Sequence, residues 1–180
     1  MSNLPQDIED IIERLYRNSD DATVRSLLVY SDRWIACLRN MGEGFVTVDE
    51  TDFNYGRAIL QDLWLTSDAR VSIHRRDIQI ALLRDVKRLE AVRLSVSVLR
   101  PYFLLTFQVC ELTTAGVAQR FAYSPESEAQ RVFAEKISQH MLTSGYALLT
   151  QKQAETVIPD IETELNPRGT VTVGHCLMGD

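Results

Sequence analysis

The chain has 180 residues, 45% of them hydrophobic and 24% charged. That is enough to bury a core without help from a disulfide or a metal, and it excludes a collagenous or broadly disordered protein. The net charge of −6 argues against a general nucleic-acid binder, and three widely spaced cysteines fit a reduced protein better than a disulfide framework.

The first residues carry Asp7, Glu9, Asp10 and Glu13 without a basic start or an apolar stretch, so no secretory leader is read there. Apolar runs such as Tyr102–Leu105 are far too short for a membrane span. These features together predict a cytoplasmic protein with no membrane partner.

Pro5 suits a helix start, and Ile8, Ile11, Ile12, Leu15 and Tyr16 then follow at helical spacing. Asn18–Asp21 ends this helix. Val24, Leu27, Leu28, Ser31, Ile35 and Leu38 predict a second one, closed by Gly42 and Gly44, before a short extended piece at Phe45–Val48. Thr51 or Asp52 then caps a predicted third helix with Gly56, Ile59, Leu60, Leu63 and Trp64 on its stripe. A fourth runs from about Ile73 to Glu90, with Ile78, Leu82, Val86 and Leu89 inward.

The rhythm changes near residue 90. Val92, Leu94, Val96 and Val98 alternate with Arg93, Ser95 and Ser97, which predicts a half-buried strand over Ala91–Leu99. Arg100-Pro101 turns the chain, and Phe103, Leu105, Phe107 and Val109 give a second strand. Thr113–Gly116 is a turn, and Val117–Tyr123 a third strand. Ser124-Pro125-Glu126 predicts a helix start, and Ala129, Val132, Phe133, Ile137 and Met141 would form its buried stripe up to Gly145. Tyr146–Leu149 reads as a short strand. Ile161–Leu165 and Thr170–Cys176 flank Asn166-Pro167-Arg168-Gly169 as a hairpin candidate. The expected fold is α+β: about four N-terminal helices on or beside an antiparallel sheet of order βββαβββ. It forms a single domain over 1–180, divisible into a helical part (1–90) and an α+β part (91–180).

Candidate chemistry is sparse. No catalytic motif, phosphate loop or nucleophile elbow stands in the sequence, and no cofactor is expected. His74, His140 and His175 read as packed or surface residues; His175 and Cys176 would point to opposite faces of a strand and share no metal easily. Asp160, Glu162 and Glu164 alternate, so on a strand they would form a carboxylate ladder. Such a ladder suits a hard cation and carries the alternative of a metal-dependent enzyme, against the plainer reading of a charged edge strand. No metal ligand is assigned.

Charge is unevenly spread. Residues 70–100 hold eight basic side chains against three acidic ones, so that segment is +5 and the rest of the chain −11. Arg76, Arg84, Lys87 and Arg88 lie broadly away from the apolar stripe of the predicted helix 73–90, and they are the candidate partner-binding residues. Nucleic-acid binding through the same helix is a further alternative, though Asp77 and Asp85 interrupt the basic field and no aromatic residues are interleaved for base stacking. The leading expectation is a non-enzymatic protein–protein interaction module of adaptor, chaperone-like or toxin-neutralising type. It would act with a protein partner or as a homo-oligomer such as a dimer.

Overall fold

The computed structural model describes residues 4–17, 52–54, 58–66, 76–163 and 165–179. The predicted second helix and the extended piece at 45–48 lie outside these residues. Helix α1 spans Gln6–Ile12 and passes into a π-helical turn, Glu13–Arg17. Pro5 is the N-cap of this helix rather than its first residue, with an extended ψ of 141°, and its carbonyl accepts from the amides of Ile8 and Glu9. Ile8, Ile11 and Ile12 are buried, in line with the predicted stripe.

The predicted third helix is instead two strands, β1 (Asp52–Asn54) and β2 (Ala58–Trp64). Six of the seven β2 residues are buried. A strand covered on both faces loses its period-two alternation, and its apolar run then imitates a helical stripe. Helix α2 covers Arg76–Val86 and stops short of the predicted Glu90. Lys87 turns the chain with a left-handed φ of 64°, and Arg88 already belongs to β3 (Arg88–Ser97). Leu82 and Leu83 face inward, whereas Val86 is 54% exposed and Leu89 is buried from the strand.

Strands β4 (Tyr102–Thr113) and β5 (Gly116–Ala122) follow where the alternation places them. The sheet runs β1-β2-β3-β4-β5 with every neighbour antiparallel. A short β6 (Ala147–Leu148) pairs in parallel with Tyr102 and Phe103 of β4, which makes the sheet mixed. The class is α+β, as expected, but two strands precede residue 90.

The register sorts the faces, because directly opposed residues point the same way. Val92, Leu94, Val96, Phe103, Phe107 and Ile59 form one core with Ile8 and Ile11 of α1 and with helix α3 (Glu128–Thr143). Trp64, Leu89, Ala91 and Cys110 form a second on the opposite face, closed by Leu82 and Leu83 of α2. Burial of each large apolar side chain contributes roughly 1.5–3 kcal/mol. The expected solvent face of β3 is therefore a correction: Ser95 and Ser97 are 5% and 1% exposed.

Helix α3 is capped by Ser127, three residues after the predicted Ser124. Ser127 Oγ accepts from the Gln130 amide and donates to Glu90 Oε2, so the cap also ties the helix to β3. Gln130, fully buried, donates to the carbonyls of Ala91 and Gln108. Phe133, Ile137 and Met141 are inward as predicted, while Ala129 and Val132 are exposed. The helix ends before Gly145, whose φ of 86° only glycine adopts without strain.

The predicted C-terminal hairpin does not form. Residues 161–163 are irregular, and among the described residues only an isolated bridge joins Val157 to Thr172. After the short helix α4 (Gln151–Ala154), the chain ends in helix α5 (Val173–Met178). A capping box starts α5: Thr172 Oγ1 accepts from the His175 amide, and His175 Nδ1 accepts from the Thr172 amide. Val173, Cys176, Leu177 and Met178 are buried, so the predicted strand over Thr170–Cys176 is instead the entry and first turn of a helix.

Candidate functional site

The four predicted partner-binding cations do not share one helix face. Arg76 opens α2, while Arg84 and Lys87 are exposed near its C-terminal end. Lys87 Nζ donates to the Arg84 carbonyl. Arg88 projects from β3 instead. Its guanidinium meets Glu90 at 2.6 Å, Glu111 at 3.2 Å and Glu126 at 3.5 Å. Arg120 on β5 binds the last two carboxylates at 2.8 Å each. Beside Arg120, both Glu111 and Glu126 are held below the usual carboxylate range. Three carboxylates thus absorb the charge of two guanidinium groups, and Arg88 serves as a clamp between β3, β4 and the entry to α3.

The acidic ladder has no strand at its described positions, and Glu164 lies outside the described residues. Asp160 and Glu162 lie on irregular chain, and Arg17 takes Asp160 through Nε at 2.7 Å and Nη2 at 2.8 Å. That pairing lowers the Asp160 pKa. Without a strand, nothing aligns these residues on one face. Among the described residues no group of three or more His, Cys, Asp or Glu side chains could hold a metal ion. Cys110 and Cys176 are buried thiols outside any disulfide, and desolvation raises the Cys110 pKa. No described helix is long and apolar enough to cross a membrane.

The sheet edge offers more. β5 pairs with β4 only from Phe107 onward, and β6 pairs with Tyr102 and Phe103 on that same edge. Between them lies a groove of about 670 Å³. Leu104, Leu105 and Phe107 form its floor, Ala134, Ser138 and Leu142 of α3 one wall, and Leu148 and Leu149 the other. Tyr123 stands at the β5 end. Leu142 and Leu148 are 54% and 42% exposed, an unusual state for two leucines flanking one cleft.

Polar groups gather at the rim. Arg131 joins Glu128 and, at 2.5 Å, Glu135, and Arg131 draws the Glu128 pKa down. Gln151 donates to Glu155, which with burial raises the pKa of Tyr123. The volume and apolar lining match those of ligand clefts, and the open edge suits a polypeptide.

No match is found among family models, curated proteins or solved structures. The site therefore stands on its own geometry. Sequence reading missed it, although two signals were present. Tyr102–Leu105 is apolar at consecutive positions, so both faces of that strand must be covered. Leu142 directly follows the inward Met141, leaving an apolar residue off the buried stripe.

Proposed function

We propose that the protein is a non-enzymatic protein–protein interaction module of the cytoplasm, which receives an apolar segment of a partner in the groove between β4, α3 and residues 148–151. The observation that carries this reading is the pair Leu142 and Leu148, exposed on opposite lips of an apolar cleft. Desolvating such side chains against a partner is the usual driving force of specific association. The charge pattern supports protein over nucleic acid, since Arg88 is matched by three carboxylates and Arg84 and Lys87 share the α2 surface with exposed Asp77 and Asp85. The enzyme alternative has less support, since Asp160 and Glu162 lie on irregular chain and Asp160 is held by Arg17.

The test is affinity purification from the native host, with nuclease present, using the parent protein and the variants Leu142→Glu and Leu148→Asp. Both positions are solvent-facing, so each variant should keep its stability within about 0.5 kcal/mol. A stoichiometric protein that co-purifies with the parent and is lost with both variants supports the reading. A partner retained by both variants, or none at all, refutes it.

A further inference from the structure

The backbone at the groove floor carries a more specific message. The carbonyls of Pro101 and Phe103 accept from the amides of Ala147 and Leu149, so the odd-numbered residues of β4 turn their backbone groups to this edge. Phe107 does the same toward β5, where it pairs with Ala122. Leu105 lies between them. Its N–H and C=O face the groove, and no described residue pairs with them there. Unpaired backbone groups at a sheet edge are a template for another strand.

The open stretch is short. From Phe103 to Phe107 there are four residue rises of about 3.3 Å, roughly 13 Å in all. The turn at Tyr123 closes one end and Thr150 the other. Two or three extended residues fit, and a long strand does not. A residue bridging Leu105 would point its side chain to the same sheet face as Leu105, toward α3. The α3 wall there is Ala134 and Ser138, small residues that leave room for a bulky one.

Charge narrows the occupant further. Counting the lining residues and the groups in contact with them, Glu128, Glu135 and Glu155 stand against Arg131 alone. A partner carrying lysine or arginine beside its apolar residue would complement that rim.

Resting on the reading of the groove as a partner site, we infer that the protein binds a short extended peptide segment by strand addition at Leu105. One bulky apolar residue of that segment bridges the Leu105 backbone, and flanking basic residues meet the carboxylate rim. The partner supplies main-chain hydrogen bonds as well as apolar surface, and the short gap selects a chain end or an exposed loop.

The experiment selects displayed random linear peptides against the parent protein, with counter-selection on Leu148→Asp. Enriched peptides are then followed by amide hydrogen exchange at Leu105. Strand addition predicts an apolar residue flanked by Lys or Arg, and Leu105 exchange slowed at least about tenfold on binding. N-methylation of the bridging peptide residue should weaken binding at least about tenfold, because it removes one main-chain bond and crowds the edge. Peptides that need Leu148 but leave Leu105 exchange unchanged would overturn strand addition while leaving the groove as a docking site. Failure to enrich any Leu148-dependent peptide would overturn both. Sedimentation of the protein alone covers the remaining occupant: a dimer abolished by Leu148→Asp would show that a second copy fills the groove and overturn the foreign peptide.

Discussion

Asp62 lies on β2 with 5% of its side chain exposed, and Arg93 of β3 grips it through Nε at 2.7 Å and Nη2 at 2.9 Å. Phe121 on β5 lies 4.9 Å from the guanidinium carbon, so the cation is also covered by an aromatic face. A buried carboxylate without its cation costs far more than the intact pair contributes. Arg93→Met should therefore destabilise the fold by about 2–4 kcal/mol, somewhat relieved because Arg93 is 22% exposed. Replacing both partners, Asp62→Leu with Arg93→Met, should recover most of that loss, since no charge is then stranded. Urea unfolding of the two variants decides it. A double variant no more stable than the single one would show that the pair matters for something other than charge compensation.

Among the elements, the junction between α2 and β3 has the sharpest local cause. Lys87 is a non-glycine residue at φ 64°, a conformation that costs roughly 1–2 kcal/mol for an L side chain. Lys87→Gly relieves that cost but frees the unfolded chain by up to about 1 kcal/mol, so its stability should equal or slightly exceed the parent's. Lys87→Val, branched at Cβ, should lose at least about 1 kcal/mol. Equal stability of the two variants in chemical denaturation would contradict the left-handed turn. This junction also shows where sequence legibility stops. The periodicity of Leu82 and Leu89 runs through Lys87 unbroken, yet the first belongs to a helix and the second to a strand, because one residue between them reverses the chain. β4, β5 and α3 were readable from alternation, Gly116 and Gly145. β2 and α5 were not, since burial on both faces erased the alternation of one, and a short capped helix imitated a strand in the other. The groove was legible only as two surplus leucines: its form depends on β5 and β6 sharing one edge of β4, a fact of pairing that no local pattern encodes.

For the molecule as a whole, stability against pH follows from which state holds the protons. Glu111 and Glu126, beside Arg120, have folded pKa values below their ordinary 4.5, and Asp160, beside Arg17, lies below its ordinary 3.8. Below those ordinary values the unfolded chain takes up protons that the folded one refuses, so stability is intact above about pH 4.5 and is lost as the pH falls through the folded values. At the other end, burial and the bond to Asp7 push Tyr102 from 10.0 up to about 12. Here the folded state keeps the proton longer, so stability is intact below pH 10.0 and declines toward about pH 12. A thermal-melting profile should therefore form a plateau with two shoulders of separate origin. Arg120→Gln should reduce the acid shoulder, because Glu111 and Glu126 lose the stronger of the two cations that hold them ionised while Arg88 and the Asp160–Arg17 pair stay, and leave the alkaline one in place. Tyr102→Phe should do the reverse, at a uniform loss of about 1 kcal/mol for the missing hydrogen bond. Acid profiles that superimpose with and without Arg120 would show that the clamp across β3, β4 and β5 is ornamental in solution. The opposite outcome would establish that it fastens the sheet edge on which the groove is built.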